Sequence, residues 1–131
     1  MNVKLLKWIS NQIEKEPESF EMAGVISTNS CGTACCIAGW ALVKNFSKRM
    51  HSKIDPKRVT RSKEFNSIKF DWELKASVIL ELDVYQANRL FFTYNWPERF
   101  HSNYNNATTK QEIAEIAIER IRHFIATNGA E

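Results

Sequence analysis

The sequence lacks most of the features that announce a chemistry. It has three cysteines, so no fourth thiol closes a tetrahedral zinc site, and His51, His101 and His123 are scattered without the paired spacing that would complete one. No metal and no cofactor are expected. The longest apolar run, Ala34 to Val43, is too short to cross a bilayer. The start, Met1 to Lys7, is interrupted by charge too soon for a secretory leader. A membrane partner is therefore excluded, and the chain is expected in the cytoplasm, where Cys31, Cys35 and Cys36 stay reduced. No stretch shows the alternation of a half-buried strand, and there is no repeat and no low-complexity tract. Gly32-Thr33 is followed by no lysine, so it is not a P-loop.

What is present describes a globular helical protein. The 131 residues suffice for one domain, here 1–131, and 44% hydrophobic with 25% charged residues is ordinary for a folded chain. Four Trp, eight Phe and three Tyr supply enough apolar bulk for a core without disulfides. Val3, Leu5, Leu6, Ile9 and Ile13 recur at helical steps behind Asn2 as cap, with Pro17 closing the segment. The uncharged stretch Cys31 to Val43 reads as a buried helix starting beside Ser30 or Thr33. Asp71 and Asp83 are placed to cap two helices that meet near Leu82, and Pro97 to open a short one. Thr109 to Glu112 forms a capping box before Ile113, Ile116, Ala117, Ile121, Phe124 and Ile125, and Asn128-Gly129 ends that helix. The expected class is all-α, a bundle of about five or six helices.

Charge is unevenly placed. Between Lys48 and Lys63 the cations Lys48, Arg49, Lys53, Lys57, Arg58, Arg61 and Lys63 face a single acid, Asp55, giving those sixteen residues +6 in a chain of net +3. With one proline and little periodicity, 48–66 reads as a long exposed basic loop.

The run Cys31-Gly32-Thr33-Ala34-Cys35-Cys36-Ile37-Ala38-Gly39-Trp40-Ala41 resembles the Cys-Gly-Thr-x-x-Cys-x-Ala-Gly-(Trp or His)-Ala signature of small uncharacterised proteins of bacteria and their phages. Phe20-x-Met22, Leu80-x-Leu82, Gln86-Ala87, Leu90-Phe91, Trp96-Pro97 with Phe100, and Arg120-Ile121 through Gly129 follow the same pattern in the same order. The basic segment departs from it. The resemblance implies no particular activity, only a phage-related or accessory regulatory role.

Three functional readings follow. The first is a non-enzymatic interaction module whose partner is a protein or a small molecule, with Trp40, Trp72, Trp96 and Tyr94 as pocket-lining candidates. The second is a nucleic-acid binder. It uses a degenerate helix-turn-helix over 77–92, with Gln86, Asn88 and Arg89 facing outward as base readers and the basic loop on phosphates. Glu81 stands there where glycine is usual. The third is a cysteine-dependent enzyme, with Cys31 at a helix start as nucleophile and His101 or His123 as base. Oligomeric state is not legible.

Overall fold

The computed structural model describes residues 1–29, 32–68 and 70–131, with 27–29, 32 and 33 described for their backbone alone. The described residues form eight α-helices, two short 3-10 turns at Pro17–Ser19 and Thr93–Asn95, and one two-stranded hairpin. The all-α class holds, with more helices than the sequence suggests and one small sheet that it hides.

Helix α1 spans Val3–Lys15, and the Asn2 carboxamide oxygen accepts from the Leu5 amide at 3.0 Å, satisfying one donor of the first turn. Its face of Leu6, Ile9 and Ile13 is fully buried, each such side chain contributing about 1.5–3 kcal/mol. It packs against α8 (Lys110–Ala126), where the Thr109 hydroxyl accepts from the Glu112 amide at 3.1 Å.

The buried helix does not begin near Cys31. Strands β1 (Ile26–Asn29) and β2 (Gly32–Cys35) pair antiparallel, and helix α2 starts only at Ile37 and runs to Arg49. Two observations explain the shift. The Cys36 sulfur accepts from the Gly39 amide at 3.3 Å and so caps α2, while the Cys36 amide donates to the Val25 carbonyl at 3.2 Å. A Cβ on Gly39 would lie 1.8 Å from that same carbonyl oxygen, so only glycine lets the chain entering the hairpin lie on the helix. From Ile37 to Val43 every residue of α2 is buried.

The basic segment is not a loop. Asp55 accepts from the amides of Lys57 and Arg58, and Pro56 occupies the first turn of α3 (Pro56–Thr60). Helix α4 (Lys63–Ile68) follows, begun by the Ser62 hydroxyl accepting from Phe65 at 3.1 Å. Val59, fully buried, ties the segment to the core. A short apolar anchor with a strong cap outweighs the polar composition around it.

Helices α5 (Trp72–Leu80) and α6 (Val84–Phe91) meet at a tight turn in which Glu81 adopts φ 55°, and Leu82 donates to Ser77 at 2.9 Å. This is a Schellman closure with glutamate in the left-handed position that glycine normally fills. The same pair of hydrogen bonds ends α2 at His51 and α8 at Asn128. Helix α7 (Glu98–Asn106) follows Pro97, which lies one residue outside it rather than in its first turn. One apolar cluster, running from Leu6 to Phe124, joins the hairpin and the long helices.

Candidate functional site

Of the three catalytic candidates, the two described ones, His101 and His123, are held in separate hydrogen-bond networks. Cys31 lies outside the described residues. His101 is held by the Thr93 carbonyl at 2.8 Å and by Asn105 at 3.0 Å. His123 takes a hydrogen bond from Arg99 at its Nδ1 (3.2 Å), so its Nε2 carries the proton directed at Glu131, 3.3 Å away. The described thiols are the opposite of activated. Burial pushes Cys35 well above the ordinary thiol range, reinforced by Cys36, and burial pushes Cys36 up to about 11 against the lowering effect of neighbouring amides. In the described part of the signature, Cys35 packs in the core, Cys36 caps, and Gly39 admits a backbone. Among the described residues no group of three His, Cys, Asp or Glu is placed to hold a metal.

The four aromatic pocket candidates do not converge. Trp40 is core, edge-on to Trp8 at 6.2 Å. Trp96 is core too, donating from its indole to the Leu90 carbonyl at 3.0 Å. Trp72 meets Phe92 at 6.1 Å, and Phe92 stacks on exposed Tyr94 at 5.4 Å. Only Trp72 and Tyr94 thus belong to one row.

The base-reading candidates are committed within the chain. Gln86 closes a capping box with Asp83 and donates to the Asn128 carbonyl at 3.2 Å. Arg89 donates to the Gly129 carbonyl at 3.1 Å, and Asn88 takes hydrogen bonds from Asn95 at both its main-chain and side-chain oxygens. Two helices joined by a tight turn are there, but residues 128–129 hold Gln86 and Arg89, and Asn95 holds Asn88. The seven cations of the basic segment are all exposed. None takes part in an ion pair among the described residues, where His123 with Glu131 is the one such pair.

Two surfaces stand out among the described residues. On the outer side of α5 and α6, Phe70, Leu74, Val78 and Val84 are 88%, 68%, 63% and 64% exposed. With Leu82 and Ala87 they line a groove of about 410 Å³ whose charged lining residues, among those described, are Asp71 and Glu73. Leu74 and Val78 stand about one turn apart along α5, about 6 Å of helix, with Phe70 just ahead of its first residue. The second is a groove of about 620 Å³ between α1 and α2, lined by Asn2, Lys4, Leu5, Trp8, Lys44, Asn45, Lys48 and Ile79. The sequence reading passed over Trp8, although Lys4 and Trp8, like Lys44 and Lys48, stand four apart and so share a helix face.

Compared with known proteins, the chain matches no family model, no curated protein and no solved structure. No helix of the described residues is long and apolar enough to cross a membrane.

Proposed function

We propose that this chain is a non-enzymatic helical interaction module that holds a second protein on the outer face of α5 and α6. One observation carries the reading: Leu74, Val78 and Val84 are all strongly exposed and line one groove on the outer side of α5 and α6. A monomer loses solubility by such a patch, and a contiguous one marks an interaction surface. The extended row along α5 fits an amphipathic helix better than a compact small molecule. Asp71 and Glu73 at its edge select basic flanks on the incoming helix. Pairing of this face with its own copy would bring carboxylates toward carboxylates, which disfavours a symmetric dimer.

The same reading includes membership of the family carrying the Cys-Gly-Thr signature, an accessory regulatory role, and a cytoplasmic setting. The free thiols of Cys35 and Cys36 are in keeping with that setting.

A labelled amphipathic peptide with Lys and Arg flanks, beside one with the same apolar face and Glu flanks, tests the proposal. The basic peptide should bind, the acidic one should not, and Leu74→Glu or Val78→Glu should weaken binding by about tenfold or more. Equal binding of both peptides, or indifference to the substitutions, overturns it. Sedimentation of the wild-type chain as a dimer that Leu74→Glu dissolves would also overturn it, by making a second copy the occupant.

A further inference from the structure

The groove between α1 and α2 is separate from the α5 and α6 face and has the opposite chemistry. Lys4, Lys44 and Lys48 line it and no carboxylate does. The Lys44 ammonium lies 4.7 Å from the centre of the Trp8 ring, and none of the three lysines has an ion-pair partner among the described residues. Leu5 and Ile79 supply apolar lining, and Asn2 and Asn45 carboxamides complete it. A flat ring system bordered by unpaired ammonium groups is complementary to a ligand that carries both an aromatic ring and negative charge.

Lys48 is also the first of the seven exposed cations that continue through Lys63. Exposed positive charge therefore continues along the chain beyond the groove, which argues for a chain of phosphates rather than a single anion. We infer that the α1 and α2 groove binds single-stranded nucleic acid, one base stacking on Trp8 and the neighbouring phosphates meeting Lys4, Lys44 and Lys48, with the strand continuing toward α3. Lys44 leaves the ring face for a phosphate when the base arrives, because base stacking on an indole outweighs an exposed cation–π contact. Duplex is disfavoured, since its bases are already stacked on each other and cannot take the indole. This site reads no sequence, in contrast to the α6 side chains that residues 128–129 occupy.

The test uses a fluorescein-labelled oligouridylate of about fifteen nucleotides, long enough for one such site, with anisotropy followed at several salt concentrations and tryptophan emission followed in parallel. Expected are salt-dependent binding, quenching of tryptophan emission, and at least tenfold weaker binding by Lys44→Gln with Lys48→Gln, whose log–log salt slope should fall by roughly 0.7 per lost phosphate contact. Trp8→Leu should lose the quenching. Because Trp8 also touches the core residue Trp40, the lysine pair, at polar surface positions, supplies the arm that does not depend on folding. Absence of salt-dependent binding overturns the inference. So does binding unchanged by the lysine pair but lost with Lys57, Arg58 and Arg61, which would make the basic helices the whole site. Uridine monophosphate binding as tightly as the strand, or duplex of the same length binding more tightly, overturns it as well.

Discussion

The Arg120 guanidinium donates to the main-chain carbonyl of Arg89 at 2.9 Å, so a fully buried cation holds the end of the helix whose own arginine reaches out to residue 129. Arg120 has no acidic partner among the described residues. It is enclosed by Trp96, Phe100 and Phe124, with ring centres 5.4–5.9 Å away, and its Nε and Nη1 make no hydrogen bond. Burial pulls its pKa down to about 10, with Glu131 acting weakly against that.

The size of Arg120 therefore stabilises the fold more than its charge does. Arg120→Ala should destabilise by about 3 kcal/mol by opening a cavity. Arg120→Met, which keeps most of the volume and removes an unpaired buried charge, should cost less than about 1 kcal/mol. Urea unfolding of both variants checks this, and equal large losses would show that the bond to Arg89 dominates.

Glu81 has a left-handed backbone at a solvent-exposed turn, a conformation that costs a side-chain-bearing residue about 1 kcal/mol relative to glycine. Glu81→Gly should raise stability by up to about that amount, and Glu81→Ala should not. A thermal melt of the pair decides it.

Gly39→Ala should be among the costliest small changes, about 3 kcal/mol, because the added carbon meets the Val25 backbone rather than a movable side chain. Loss of cooperative unfolding would be the extreme form of the same result. A wild-type melting curve would refute the close approach.

Thiol titration follows from burial. At pH 8 a thiol reagent should modify no more than one of the three cysteines in the native protein and all three in denaturant. In linkage terms, the unfolded chain releases the Cys36 proton near 9 and the folded chain near 11, with Cys35 shifted the same way. The unfolded state then binds fewer protons above pH 9, so stability is full below that pH and falls as pH rises toward 11. Urea midpoints measured across pH 8 to 10.5 give the sign directly.

The exposed and buried faces of α5 should separate cleanly. Leu74→Ser and Val78→Thr should change stability by less than about 0.5 kcal/mol, whereas Leu80→Ala, fully buried on the same helix, should cost about 3 kcal/mol.

Helices α1 and α8 and the α5–α6 turn were legible in the sequence because caps and helical spacing are local signals, and Asn2, Asp83 and Thr109 cap as their positions suggest. The hairpin was not. Residues 32–36 are small and uncharged, so they carry no alternation, and what makes them strand and cap is pairing with residues 25–29. The basic segment did carry a readable sign in Asp55-Pro56, a cap followed by a first-turn proline, but charge density obscured it. The sites were hardest to read. Outward positions on α6 suit a nucleic acid until residues 128–129 are seen to occupy them, and Trp8 gains its lysine neighbours from two helices that lie far apart in sequence.

The α5–α6 turn is fastened from both directions. The Asn2 amide and carboxamide donate to the Leu80 and Ile79 carbonyls, and Gln86 and Arg89 donate to Asn128 and Gly129. These fastenings span 77 residues on one side and 42 and 40 on the other, so their closure entropy must be met before they contribute. During synthesis, a chain that has emerged only as far as Phe91 displays the apolar face of Leu74, Val78 and Val84 on a turn with its second fastening missing. That turn is thus held on one side alone until Asn128 and Gly129 have been made, and its apolar face meets its surroundings before the fold beneath it is complete.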